Sequence, residues 1–421
     1  MEKAILVTLD MCEENGPWSA KEKAAELRDL AMSSGASIAH EIIAIRGKPS
    51  PAHYVGTGKA GEIAELCAEK NASVVIFNND LSGTQQKNLE EIVNVKTIDR
   101  TQLILDIFAH RAKSSEGKIQ VELAQLLYLL PRLTGFGIML SRLGGGIGTR
   151  GPGEQKLEVN KRTIRARITK LKKDLEKLNV QRLTRRKQRE KFSLLKIAII
   201  GYTNSGKSTL LNALTGSGVI ARDRLFSTLD PTIRSFTLPN NQKVIFSDTV
   251  GFLSHLPHHL IESFKATLEE VVNADLLLHI VDISHPKAKA MEKAVFEVLD
   301  ELGAREKPII TVLNKIDRID PTDLREISGE FTEPVRISAL KKANFEELFD
   351  RITLFLSRTI KRVTLYLPQT ETRLIGLVHE RGNVIKKEYI ADKIRFEVEL
   401  PISIYEKIKK ELRENNSLDT K

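Results

Sequence analysis

Gly201, Tyr202, Thr203, Asn204, Ser205, Gly206, Lys207 and Ser208 fit the pattern G-x-x-x-x-G-K-[ST]. The apolar run LLKIAII precedes them and Thr209 with LLNALTG follows, the strand, loop and helix order that this pattern requires. In such a loop the main-chain amides and the helix N-terminus face phosphate oxygens. Lys207 brings a point charge to the β- and γ-phosphates, and the Ser208 hydroxyl is placed to ligate Mg2+. VIFSDTVG supplies the next element: Asp248 ends a strand where it holds Mg2+ through water, and Thr249 and Val250 lead to Gly251, whose amide reaches a γ-phosphate. ITVLNKID ends a third strand in Asn314, Lys315, Ile316 and Asp317. Guanine presents its N1–H and N2–H donors side by side, so the Asp317 carboxylate accepts both, whereas adenine offers it nothing comparable. VRISAL follows with Ser338, Ala339 and Leu340, the Ala339 amide being placed to meet the guanine O6.

FSTLDPTIR, with Phe226, Ser227, Thr228, Leu229 and Asp230, occupies the loop expected to close over the γ-phosphate. Thr228 is the candidate for a second protein hydroxyl on Mg2+, with Ser227 and Thr232 as competitors and a plain turn at Pro231 as the alternative. These stretches in register point to Mg2+-dependent hydrolysis of GTP to GDP, with Lys207 and Gly251 as the catalytic candidates. Phe252 follows DTVG, where many such enzymes place a water-orienting glutamine. A phenyl ring makes no such hydrogen bond, so slow intrinsic turnover and acceleration by a partner are expected. The alternative is that Phe252 packs against the switch while another group positions the water.

These motifs need a parallel sheet with helices to carry them, and residues 194–360 have that alternation. Before them, AILVTL, SIAHEIIAI and SVVIF alternate with helical patterns, which reads residues 1–140 as a separate α/β domain. YVGTGKAGEI at 54–63 is a glycine-rich turn feeding a helix. It lacks the spacing and the Ser/Thr of a phosphate loop and reads first as structure, with a second nucleotide site as the alternative. Residues 361–421 alternate as a small α/β tail without a catalytic cluster. The fold class is thus α/β throughout, with a helical insertion at 141–193. In that insertion Ile164, Ile168, Leu171, Leu175 and Leu178 form a heptad seam, read as one side of an intramolecular hairpin with the preceding helix. Residues 181–192 read as the linker into the next domain.

The chain has 421 residues and a formal net charge of +10. Residues 150–191 hold sixteen Lys/Arg against five Asp/Glu, so this segment accounts for the whole excess. Its natural partner is a nucleic-acid backbone, the alternative being a solvated helix face. Nothing approaches a membrane span, the first residues lack a cleavage signal, and Cys12 and Cys67 read as buried thiols of a reducing compartment; a cytoplasmic monomer is expected. His255, His258 and His259 have no suitably spaced Cys or carboxylate and read as part of a mobile switch rather than a metal site.

SRLGGGIGTRGPGEQK at 141–156 carries Gly144, Gly145 and Gly146 between Arg142 and Arg150. Residues 201–208 already supply the phosphate cradle, so this loop has another task. At the tip of a hairpin beside Lys161, Arg162 and Arg165, it suits contact with folded RNA; a plain interdomain linker is the alternative. LSRLGGGIGTRGPGE, GYTNSGKSTL, FSTLDPTIR, DTVGFLSHLPHHLIESFKATLEE and NKID stand here in an order that closely resembles the HflX family of translation-associated GTPases, and the resemblance covers nearly the whole chain. It implies an α/β N-terminal domain, a helical hairpin, a G domain and a short α/β tail. It further implies binding to the large ribosomal subunit and its rRNA, a glycine-rich loop reaching toward the peptidyl-transferase region, and dissociation of stalled or stressed ribosomes. The sequence leaves two other readings open: an RNA-binding assembly factor for which GTP is a structural switch, and an ATP-using RNA remodeller built on YVGTGK.

Overall fold

A computed structural model describes residues 2–11, 18–133, 152–190, 195–216, 225–226, 232–240, 242–254, 265–357 and 360–418. The first sheet is wholly parallel, in the order β2-β1-β3-β4, formed by β1 (Lys3–Asp10), β2 (Ser37–Ile45), β3 (Val74–Phe77) and β4 (Lys96–Asp99). Crossovers run through α1 (Ala20–Ser34), α2 (Thr57–Lys70) and α3 (Gly83–Val93), and α4 (Arg100–Arg111) follows β4. β1 reads as a continuous apolar run because helices cover both faces of the sheet, burying Ala4 through Leu9. α1 starts sharply: the Ser19 side chain accepts from the Glu22 amide while the Glu22 carboxylate accepts from the Ser19 amide at 2.8 Å. β4 is a strand that the sequence reading did not single out; KTID is short and only its last three residues are buried.

The segment YVGTGKAGEI is a turn, with Tyr54 and Gly56 at φ of 60° and 92°, feeding α2. The helical insertion is a hairpin of α5 (Ser115–Arg132) and α6 (Pro152–Glu190). Leu123, Ile168 and Leu171 are its buried centre, flanked by Ile119, Leu126, Leu127, Leu130, Ile164 and Leu175. The Arg167 guanidinium grips Glu122 with two bonds of 2.6 and 2.8 Å. The expected seam is therefore the one that packs, apart from Leu178, which lies outside this cluster. Of the expected linker at 181–192, residues 181–190 are helical, α6 continuing without a break to Glu190 before the G domain begins. Strong helix formers (Gln, Arg, Lys, Glu, Leu) fill that stretch, so propensity carries the helix past the end of its apolar stripe.

The second sheet has the order β10-β9-β8-β5-β7-β6, from β5 (Leu195–Gly201), β6 (Thr232–Thr237), β7 (Lys243–Asp248), β8 (Leu276–Asp282), β9 (Ile309–Asn314) and β10 (Val335–Arg336). It is parallel except for the β6–β7 pair. α7 (Lys207–Thr215), α8 (Lys265–Val272), α9 (Ala288–Glu301), α10 (Pro321–Ser328) and α11 (Phe345–Ser357) connect and flank it. β11 (Ile360–Pro368), α12 (Thr372–Arg381), β12 (Asn383–Ile390), β13 (Lys393–Pro401) and α13 (Ile402–Leu418) form the tail, an antiparallel sheet β11-β13-β12 whose Phe396, Val398 and Leu400 pack under Leu374, Val378 and Ile404. No helix among the described residues is long and apolar enough to cross a membrane. Cys67 is a buried free thiol whose pKa burial raises, and Cys12 lies outside the described residues.

Candidate functional site

The site lies at the carboxyl ends of β5, β7, β8 and β9, where an open α/β sheet places its ligand crevice. β5 ends in Gly201, and the chain turns through Tyr202 to Gly206 before α7 begins at Lys207. Gly206 has φ of 96°, and a Cβ there would stand 2.2 Å from Asn314 Nδ2, so only glycine permits both the turn and the close approach. The Lys207 ammonium donates to the carbonyls of Gly201 at 3.1 Å and Tyr202 at 2.8 Å, which arches it back over the loop. Burial pushes its pKa down to about 8, with Lys315 adding repulsion and Asp248 opposing the shift. The Thr203 and Ser205 hydroxyls are buried and have no hydrogen-bond partner among the described residues. A buried cation beside unpaired hydroxyl donors, on a loop of amides opening a helix, fits a polyphosphate.

Asp248, fully buried at the end of β7, accepts a 2.6 Å bond from the Ser208 hydroxyl. This hydroxyl and carboxylate form an oxygen donor set of the kind that Mg2+ shares with nucleotide phosphates and water. No cluster of three or more His, Cys, Asp or Glu among the described residues could hold a metal unaided. Beyond Asp248, Thr249 donates its hydroxyl to the Ile199 carbonyl at 2.8 Å. The segment then runs beside the phosphate loop: the Thr203 amide donates to Phe252 O at 2.8 Å, and the Phe252 amide to Gly201 O at 3.1 Å. Gly251 thereby lies flat against Thr203 and the Lys207 ammonium. Phe252 is 1% exposed and belongs to a core shared with Val250, Leu253 and Phe226, which favours the packing alternative for its side chain.

The base corner joins three loops. Asn314 donates from Nδ2 to Ser205 O at 2.8 Å and accepts at Oδ1 from the Ala339 amide at 2.9 Å, tying the phosphate loop to the VRISAL loop. Lys315 spans Asn204 O at 2.8 Å and Asp282 at 2.5 Å. The Ser338 hydroxyl donates to Asp317 Oδ1 at 2.6 Å and holds that carboxyl below its ordinary pKa, so it stays an acceptor at neutral pH. Ile316 and Asp317 lie in a 3-10 turn after β9, and Leu340 is exposed. Asp282 was not among the sequence candidates, though it ends an apolar strand as Asp248 does. His279, buried on the same strand, is kept neutral by burial, its pKa pushed down to about 3.

Two candidates turn away from the crevice with their side chains. Phe226 packs edge-on against Phe108 of α4 with centroids 4.7 Å apart, and the Tyr202 ring stacks on Trp18 at 6.3 Å. Both rings sit at a junction with the N-terminal domain, and the Tyr202 carbonyl remains on the phosphate-loop side, where it accepts from Lys207. Thr209 continues α7. Ser227, Thr228, Leu229 and Asp230 lie outside the described residues, as do His255, His258, His259 and the loop with Arg142, Gly144, Gly145, Gly146 and Arg150. Lys161, Arg162 and Arg165 stand on α6, with Arg162 and Arg165 exposed.

Residues 21–109 match the family described as GTP-binding GTPase N-terminal, residues 111–189 its GTPase Middle Region, and residues 196–315 a 50S ribosome-binding GTPase family. GTPase HflX of Caldanaerobacter subterraneus subsp. tengcongensis is 46% identical over 97% of this chain and 93% of its own. GTPase HflX of Escherichia coli K12 is 41% identical over 95% of this chain and 94% of its own. A GTP-binding protein from Sulfolobus solfataricus, solved with GDP, aligns with TM-score 0.44 at 27% identity over 85% of this chain and 99% of its own. Identity of 46% and 41% to these two relatives, over 97% and 95% of this chain, makes it a member of the HflX GTPase family, a GTP-hydrolysing enzyme.

Proposed function

We propose that the chain hydrolyses GTP in a Mg2+-dependent reaction while associated with the large ribosomal subunit, and that its nucleotide state sets how tightly it binds there. Release of stalled or stressed ribosomes, in the cytoplasm and as a monomer, is the role that follows. One observation carries the ribosomal reading: a 50S ribosome-binding GTPase match at residues 196–315 in a chain that also bears a basic hairpin. Full-length relatives named GTPase HflX support it.

In this reading the loop 201–206 and the Lys207 ammonium bind the phosphates, and Lys207 meets charge developing on the transferred group. The Gly251 amide fixes the γ-phosphate, Asp317 selects guanine, and the Ala339 amide takes its O6. Mg2+, when bound, neutralises phosphate charge, and Ser208, Asp248 through water and Thr228 would hold it. Hydrolysis needs water in line with the γ-phosphate. The Phe252 ring is buried in the core and leaves that task to another group, so basal turnover is slow and the ribosome accelerates it. Arg142, Gly144, Gly145, Gly146, Arg150, Lys161, Arg162 and Arg165 contact rRNA, where basic residues pair with backbone phosphates.

The test compares GTP hydrolysis by the chain alone, with large subunits, and with free RNA, for the parent and for a variant whose residues 142–151 are an arginine-free Gly/Ser linker. Strong stimulation by assembled subunits, much reduced in the variant at unchanged GTP affinity, is expected. Indifference to subunits would favour an assembly factor, and full stimulation of the variant would reduce the loop to a connector.

A further inference from the structure

The N-terminal domain has the crevice of a doubly wound sheet. Its chain order reverses between β1 and β3, and the space beyond their carboxyl ends is where such a fold takes a ligand. Here that space receives the GTPase domain. Trp18 follows β1 and stacks on the Tyr202 ring at an interplanar angle of 22°. Asn78 follows β3 and accepts a 3.0 Å bond from Arg100, the first residue of α4. Arg100 also donates to Glu26 of α1 at 2.7 Å and to the Ser254 carbonyl at 3.0 Å. Glu26 closes the circuit: it accepts from the Tyr202 hydroxyl and, at 3.2 Å, from the Ser254 hydroxyl. The Tyr202 oxygen accepts in turn from the Ser254 amide at 2.9 Å.

The two ends of this circuit are special. Tyr202 is the second residue of the phosphate loop, and Ser254 is three residues beyond Gly251. Between them lies only the short ladder of Thr203, Phe252 and Gly201. We infer that Glu26 and Arg100, from the N-terminal domain, are positioning residues for GTP hydrolysis: through Tyr202 and Ser254 they hold the segment carrying Gly251 against the phosphate loop. Neither touches the reacting atoms. Asn78, Arg100, Tyr202 and Ser254 are buried and the Glu26 side chain is 12% exposed, so the ring of bonds has limited competition from water. Burial and the Glu26 charge keep the Tyr202 hydroxyl protonated as a donor. Leu225 and Phe226 join the same junction from the other switch, the Leu225 amide donating to Ser33 Oγ at 3.1 Å.

A γ-phosphate contact made by Gly251 matters for GTP and its transition state, whereas GDP does not make it. Loosening the circuit should therefore lower turnover and GTP-analogue affinity while sparing GDP. The experiment uses the full-length chain without ribosomes, so its outcome is independent of the ribosomal reading and needs only GTP turnover. Glu26→Gln, Tyr202→Phe and the double variant are compared in single-turnover hydrolysis, and in binding of GDP and a non-hydrolysable GTP analogue, after thermal melting establishes that each is folded. Tyr202→Phe keeps the stack on Trp18 and the Glu26–Arg100 pair, so it remains readable if Glu26→Gln folds poorly. Each single variant is expected to slow hydrolysis about tenfold, since small misplacement of a reacting contact is costly. GDP affinity should stay within about twofold, and the double variant should be no slower than the slower single, because both break one circuit. Unchanged or faster hydrolysis in folded Tyr202→Phe would overturn the inference. So would equal weakening of GDP and the analogue, which marks a purely structural contact.

Discussion

Replacing Gly251 by alanine tests whether the approach of the DTVG segment to the phosphate loop governs turnover. A Cβ at this position would lie 2.7 Å from Thr203 Cγ2, 2.9 Å from Thr203 Cα and 3.0 Å from Lys207 Nζ. Ordinary contact needs several tenths of an ångström to about 1 Å more than this. The Thr203 methyl can rotate away, but its Cα cannot, because the amide nitrogen attached to it is hydrogen-bonded to Phe252 O, in the residue next to Gly251. The segment must therefore retreat, against a core that holds Phe252 and Leu253. Overpacking of this kind costs about 1–3 kcal/mol of stability. A retreat near 1 Å moves the amide off the γ-phosphate, and a misplacement of that size costs about 100-fold in rate. Nucleotides that lack the γ-phosphate depend on Lys207, the loop amides and the base corner, so GDP affinity should stay within about threefold. Single-turnover hydrolysis and GDP titration on the same purified variant, with a melting curve to follow stability, read all three quantities. Hydrolysis within about threefold of the parent would show that the Gly251 approach does not set the rate.

Asp317→Asn should weaken GTP by at least about 2 kcal/mol, since it turns an amide donor toward guanine donors, while xanthosine triphosphate binds the variant better than the parent. Unchanged GTP affinity in a titration would move the guanine contact elsewhere. The lowered pKa of Lys207, about 8 in the free protein, gives a pH signature. Bound phosphates favour the charged ammonium and raise that pKa, so binding takes up a proton as the pH passes 8. Affinity then falls with rising pH, by about threefold from pH 7.5 to 8.5. Calorimetry in buffers of differing ionisation heat should show the uptake, and a flat profile would refute the burial argument.

Much of the site was legible because its chemistry is local. The phosphate loop, Asp248 and the NKID turn are each a short stretch at the end of an apolar strand, and backbone geometry fixes what six to eight consecutive residues can bind. The heptad seam of α6 was legible for the same reason, since helical periodicity is written in sequence. Three things were not. β4 has too few apolar residues to announce itself and becomes a strand only beside β3. Asp282 gains meaning only when Lys315, thirty-three residues on, reaches it. Glu26, Arg100 and Trp18 look like ordinary surface and helix-start residues until the N-terminal sheet docks.

The sequence alone thus determined the GTPase chemistry and a strongly basic helix, because each rests on contiguous residues and the intrinsic geometry of strand, loop and helix. Tertiary structure decided where the side chains of Tyr202, Phe226 and Phe252 go. They turn from the crevice into a junction between domains because burying an aromatic ring against Trp18, Phe108 and their neighbours outweighs leaving it at a polar mouth, and no local rule encodes which distant surface will receive it.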